Sequence, residues 1–296
     1  MIDPLEQSMP TDVHGSGTAS PRLAAAILIS LAAGCAGERG VATLTPTPPP
    51  STAGRFDVRL PGSGVELGGI LFRPEIGSDR RAAILVLHGW APAGTNGAAL
   101  VEARARRYSE AGMVALALSM RGWPPSGGVD DCGLEQPDDV VRAAAWLGSQ
   151  PGVDPGRVAL LGFSQGGQVV LLAGARGAPV RAIVAYYPVT DVARWKPTTS
   201  HPDIPGHIVA VCEPGGTARR SPLVQAASVA VPILLVHGEQ DTRVPTEQSV
   251  LLHEAMAALG RRSTLLLVPG AQHGLTADEE AVARPVVEGF LESLLG

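Results

Sequence analysis

Aromatic residues are scarce in this 296-residue sequence, with four Phe, three Tyr and four Trp making up 4% of it. Apolar residues as a whole are abundant at 45%, so the interior must be filled mainly by Ala, Val and Leu, as expected where helices pack on a parallel sheet. Basic residues form no stripe and the formal charge is −5, which excludes the electrostatic footprint of a nucleic-acid-binding protein. No internal repeat is visible, which excludes solenoids and propeller arrays. No C2H2, CxxC or HExxH spacing occurs among the three Cys and seven His, so neither a metal nor another cofactor is expected. What remains is the length and composition of one large α/β domain with additions.

The additions lie at the N-terminus. Leu23 to Ala33 is an apolar run broken only by Ser30, preceded by Arg22 and followed by Gly34-Cys35; it is too short to span a bilayer comfortably and has the layout of a secretory signal. The Ala-Ala-Gly-Cys ending at Cys35 resembles a bacterial lipobox, although Leu31 lies one place further from Cys35 than that pattern has it. Asp3, Glu6 and Asp12 are unusual ahead of such a run, and Met9 is an alternative start. Residues 1–35 therefore read as a signal peptide with Cys35 as the lipidated residue. A soluble secretory signal or a buried helix are the other readings. Residues 36–54 include Thr43 to Pro50, a Pro/Thr tract that stays extended at roughly 3 Å per residue and makes a tether of at most about 60 Å. The expected product is an exported protein, membrane-anchored if Cys35 carries lipid and otherwise periplasmic or secreted. With Cys35 acylated, Cys132 and Cys212 remain, both in expected loops. An oxidising compartment permits them to pair, the alternative being two free thiols.

From Arg55 to Gly296 the pattern is that of a catalytic domain. Arg55 to Leu60 and Val65 to Phe72 alternate apolar and polar residues around Pro61-Gly62-Ser63-Gly64, which reads as an antiparallel hairpin. Short continuous apolar runs follow at Ala82–Leu87, Val114–Leu118, Val158–Leu161, Ala182–Ala185, Ile233–Val236 and Thr264–Val268. Such runs indicate strands buried on both faces. Helix-period stretches separate them, at Ala98–Ala111, Asp138–Gly148, Gln165–Ala175, Glu247–Leu259 and Ala277–Leu295. This alternation predicts an open, mostly parallel sheet with helices on both faces. Pro188 to Ala230, rich in Pro, His and Gly, replaces a simple crossover and is expected over the carboxyl edge of the sheet, where such folds bind ligands.

Gly162-Phe163-Ser164-Gln165-Gly166-Gly167 follows one of these strands and opens a helix, which is the context a G-x-S-x-G nucleophile elbow requires. The turn lifts the Ser164 hydroxyl clear of the sheet, and the helix start directs main-chain dipoles at an oxyanion. A hydroxyl of ordinary pKa needs a base. His273, just after the last apolar strand, is the best placed of the seven His. Asp241, in the loop after the preceding strand, is the orienting acid, with Glu239 and Asp191 as rivals. The second oxyanion donor, beside the Gln165 N–H, is the Trp90 N–H in His88-Gly89-Trp90, and His88 is a structural residue shaping that turn. Trp90, Trp123, Tyr186 and Trp195 stand near strand ends, with pocket and core roles equally open.

The order Ser164, Asp241, His273 and the Gly-rich turn resemble the α/β-hydrolase superfamily across nearly all of residues 55–296. His88-Gly89-Trp90, the elbow and the 238–245 loop are similar to its dienelactone hydrolase-like and prolyl oligopeptidase-like branches. Unlike dienelactone hydrolases proper, this chain has Ser164 in place of a Cys nucleophile and no Arg closely following His273. The resemblance implies acyl transfer through an acyl-enzyme on Ser164. A carboxylesterase acting on small esters is the first expectation and an oligopeptidase-type peptidase acting on short peptides the second. A non-catalytic binding lipoprotein on the same fold is the third. No nucleic-acid partner is expected, and membrane contact only through a lipid anchor.

Overall fold

The computed structural model describes residues 52–75 and 79–296. The expected leader, Cys35 and all but the end of the tether lie outside the described residues.

The hairpin pairs β1 (Gly54–Pro61) with β2 (Glu66–Arg73) in antiparallel register, Gly54 opposite Arg73 and Pro61 opposite Glu66. β2 continues antiparallel against β4 (Val114–Leu118). From β4 onward every neighbour is parallel, through β3 (Arg81–Leu87), β5 (Val153–Phe163), β6 (Ala182–Tyr186), β7 (Ile233–Gly238) and β8 (Ser263–Val268). The full order is β1-β2-β4-β3-β5-β6-β7-β8. The chain leaves β3 toward β4 and returns on its other side as β5, so a crevice opens at the carboxyl ends of β3 and β5.

Why these runs are strands is visible in their packing. Leu85, Leu87, Leu116, Leu118 and Leu160 fall in one core, and the intervening Ile84, Val86, Ala115, Ala117, Ala159 and Leu161 fall in the other. The period of two divides each run between the two faces. Against the first face pack α3 (Gln136–Gly148), α4 (Gln165–Ala175) and α7 (Glu247–Ala258). The second is covered by α1 (Gly97–Leu100), α2 (Glu102–Glu110) and α8 (Ala277–Leu295).

Three expectations need correction. The stretch Ala98–Ala111 is two helices, because Val101 leaves helical geometry at φ −118°, ψ 9°. β8 is not buried on both faces: it lies at the sheet edge with Leu267 exposed, since no ninth strand covers it among the described residues. The strand read as Val158–Leu161 begins at Val153.

The insertion after β6 contains α5 (Val192–Thr198), capped by Asp191, which accepts from the Ala193 and Arg194 N–H groups. It continues as α6 (Ile204–His207) and a π-turn over Ile208–Cys212. These pieces are too short to be stable on their own helical propensity. They share a small core of Val189, Val192, Trp195, Ile208 and Val244 with the Cys132–Cys212 disulfide. The pairing left open by the sequence is thus made, and it ties the insertion to the loop after β4.

Candidate active site

Ser164 occupies the first turn after β5 with φ 53° and ψ −115°, a backbone region that side chains rarely adopt and that costs of order 1–3 kcal/mol. The glycines on either side make the turn sterically feasible. A Cβ on Gly162 would come within 2.2 Å of the Gly166 carbonyl oxygen, and one on Gly166 within 2.3 Å of the His88 carbonyl oxygen. Behind the elbow, the Phe163 ring tilts against Tyr186 at 4.9 Å, with the Arg104 guanidinium 5.1 Å from the Phe163 ring centre. Arg104 in turn is hydrogen-bonded to Glu280 of α8.

Three side chains from the ends of β5, β7 and β8 meet in front of this turn. Ser164 Oγ lies 3.1 Å from His273 Nε2, and His273 Nδ1 lies 2.7 Å from Asp241 Oδ2. Burial would push the Asp241 pKa up, but hydrogen bonds from His237 and His273 and from the Val244 N–H outweigh it and hold the carboxyl well below the usual range. An ionised Asp241 only accepts, so His273 Nδ1 carries its proton and Nε2 presents a lone pair to the serine hydroxyl. The second carboxylate oxygen accepts from the Arg243 and Val244 N–H groups at 3.0 and 2.9 Å. The rival acids do other work, Asp191 as a helix cap and Glu239 as an exposed acceptor for the Gly270 N–H.

His88 is structural, as expected from its position. Its Nε2 accepts from the Met120 N–H at 3.0 Å, so Nδ1 holds the proton and donates to the Gly89 carbonyl at 2.6 Å. Burial lowers its pKa from 6.5 to about 4, keeping it neutral. The turn it fixes runs against the nucleophile: a Cβ on Gly89 would be 3.2 Å from Ser164 Cβ. Trp90 follows directly. Gln165, the first residue of α4, has no intrahelical partner for its N–H, and its side chain donates to Asp130 Oδ1 at 2.7 Å.

A cavity of about 290 Å³ opens from Ser164, with Phe163, Tyr187, Val189, Trp195 and Ile204 among its apolar walls. The four aromatics of uncertain role divide evenly. Trp90, half-exposed, and Trp195, hydrogen-bonded through Nε1 to the Arg243 carbonyl, line the cavity. Trp123 is buried with Nε1 on the Ala91 carbonyl, and Tyr186 is buried in the sheet, so both are core.

Two contributors escaped the sequence reading. His237, near the end of β7, places Nε2 3.4 Å from Asp241 Oδ2; its spacing of four from an acid after a strand is the available signal. Tyr187, with φ 37°, packs its ring 4.6 Å from the His273 ring. Nothing in the sequence separated it from Tyr186.

The elbow, the aligned Ser, His and Asp, and the strand order together define a serine hydrolase of the α/β-hydrolase fold. Comparison with known proteins narrows the class: the prolyl oligopeptidase family profile, Peptidase S9, matches residues 103–290, more than half of the chain, so the chain belongs to that family. Among curated relatives, a putative carboxymethylenebutenolidase from Salmonella typhimurium is 27% identical over 143 residues, covering 47% of this chain and 44% of that one. The uncharacterized peptidase YtmA of Bacillus subtilis is 28% identical over 162 residues, 52% of this chain and 62% of the relative. Among solved structures, a puromycin-hydrolyzing peptidase from Mycobacterium tuberculosis superposes with a TM-score of 0.73 at 22% identity, covering 82% of this chain and 40% of the other. The match thus spans less than two thirds of each of these proteins.

Proposed function

We propose that this protein hydrolyses carboxylic esters with a small or medium apolar acyl group, with Ser164 as nucleophile, His273 as general base and Asp241 as the acid that orients it. The observation that carries the reading is the continuous line from Ser164 Oγ to His273 Nε2 and from Nδ1 to Asp241. His273 takes the serine proton as Oγ attacks the acyl carbon, and the imidazolium is stabilised by the buried carboxylate. The N–H groups of Gln165, the residue after the nucleophile, and of Trp90, the residue after the Gly89 that approaches Ser164, are assigned the oxyanion, each contributing about 3 kcal/mol to the transition state. His273 then protonates the leaving alkoxide, and water activated by the same imidazole releases the acyl-enzyme.

The cavity supports the acyl preference, because at about 290 Å³ it is at the lower end of ligand pockets and its walls are mainly apolar. A second reading, hydrolysis of short peptides, is favoured by the family to which the chain belongs. Comparing p-nitrophenyl acetate with an aminoacyl p-nitroanilide decides between them. The ester should be turned over faster, and a strong preference for the anilide would reverse the order. Labelling of wild type but not Ser164→Ala by a fluorophosphonate probe checks the nucleophile itself. The leader and Pro/Thr tract support export with lipid on Cys35; a metabolically incorporated fatty-acid label lost in Cys35→Ser would establish it.

A further inference from the structure

Outside the triad, and among the described residues, a close group of metal-ligating side chains is the one that fastens the insertion. Cys132, from the loop after β4, and His207 and Cys212, from the insertion, bring one ligand atom each to within 4.8 Å of one another. The π-turn contributes to this. The Glu213 N–H bonds the Ile208 carbonyl at 2.8 Å, five residues back, and such wider winding leaves residues five apart closer to one face than an α-helix does. A fourth donor stands beside them. Asp130 Oδ1 accepts from the Cys132 N–H, Gln136 Nε2 and Gln165 Nε2, whereas Oδ2 is buried, has no hydrogen-bond partner, and lies 3.7 Å from His207 Nε2.

We propose that, when the Cys132–Cys212 disulfide is reduced, these residues form a tetrahedral site for Zn²⁺ or another thiophilic divalent cation. Its donors are the sulfurs of Cys132 and Cys212, a ring nitrogen of His207 and Oδ2 of Asp130. The step balances simply. A dithiol gives two electrons and two protons to the S–S bond and becomes a disulfide, leaving two thiols on the protein. The cation displaces those two protons and forms two sulfur–metal bonds. In a tetrahedral Zn²⁺ site with sulfur at about 2.3 Å and nitrogen at about 2.0–2.1 Å, neighbouring donors are roughly 3.5–3.8 Å apart, so donors already within 4.8 Å need side-chain adjustment rather than refolding. The Asp130 oxygen, which has no hydrogen-bond partner and only the His207 ring at 3.7 Å, gains a direct bond to the cation.

The position gives the site a consequence. Cys132 and His207 both line the cavity in front of Ser164, and the His207 ring packs edgewise on Trp90 at 5.6 Å. Disulfide and metal are therefore alternative fasteners for the same wall, one for oxidising and one for reducing surroundings.

The test uses the full chain carrying Cys35→Ser, reduced with a water-soluble phosphine, freed of it, and titrated with Co²⁺. Visible d–d bands of tetrahedral thiolate coordination should saturate at one equivalent, be bleached by Zn²⁺, and be absent before reduction. His207→Ala and Asp130→Asn should each weaken Co²⁺ binding at least about tenfold, and Cys132→Ser should abolish the bands. Absence of bands in the reduced protein, or unchanged affinity in both His207→Ala and Asp130→Asn, would overturn the proposal. Should reduction loosen the insertion, Zn²⁺ must restore the thermal midpoint lost, because binding and ordering are then one event; a midpoint indifferent to Zn²⁺ refutes the site equally.

Discussion

The sheet and the insertion solve the same problem, holding residues at the mouth of one cavity, by opposite means. The sheet fixes Ser164, Asp241 and His273 at the ends of β5, β7 and β8, strands whose side chains fill two cores. Its geometry is paid for by burial summed over many residues. The insertion has short helices, a small core and one covalent bond, Cys132–Cys212. Chemistry is thus placed on the sheet, while the cavity wall formed by the insertion is held by a small core, one disulfide and hydrogen bonds to side chains and loops around it, such as Thr190 Oγ1 to the Gln248 carbonyl and Trp195 Nε1 to the Arg243 carbonyl.

The sharpest way to probe the contrast is Ser164→Ala. Turnover should fall by about 10⁴-fold or more with the thermal midpoint unchanged, since the side chain supports no packing. Retention of ester hydrolysis in this variant would remove the sheet from its catalytic role. Next is the double substitution Cys132→Ser, Cys212→Ser. With a sequence separation of 80, loss of the bond should lower stability by about 4.5 kcal/mol on chain-entropy grounds, and KM should rise more than kcat falls. Denaturant unfolding and steady-state kinetics read both, and unchanged KM would mean that the wall stands without its clasp.

The smallest effect concerns the sheet side. His88 is neutral when folded, its pKa lowered by burial to about 4 from 6.5. The unfolded chain therefore binds the extra proton first as pH falls. Its stabilising contribution is full above pH 6.5 and lost as pH drops toward 4, about 3 kcal/mol in all. Denaturation midpoints across that window should show the slope in wild type and a shallower one in His88→Gln.

The same contrast explains what the sequence made legible. Ala82–Leu87 or Val114–Leu118 announce themselves because both faces are buried and the run is short, and the triad follows because each member stands just past such a run. The elbow was readable as a steric demand, since Gly162 and Gly166 have backbone where a Cβ would go. In the insertion no period repeats long enough to read, and the structure rests on contacts between residues distant in sequence, such as Trp195 Nε1 with the Arg243 carbonyl. The choice between Tyr186 and Tyr187 for the cavity turns on a positive φ at Tyr187, which no property of the residue type discloses. Likewise Val101 carries no helix-breaking signal, and the division of α1 from α2 comes from how they pack.

Arg104, stacked on Phe163 and bonded to Glu280 of the final helix, makes the residue before the nucleophile a keystone gripped from below. Glu280 also draws Arg107 to 3.6 Å and the Tyr186 hydroxyl to 3.4 Å. The floor beneath the reaction centre is consequently shared property of α2, β6 and α8. A change at Glu280, on the buried face of the C-terminal helix, therefore alters what supports the ring beside the nucleophile through a single carboxylate.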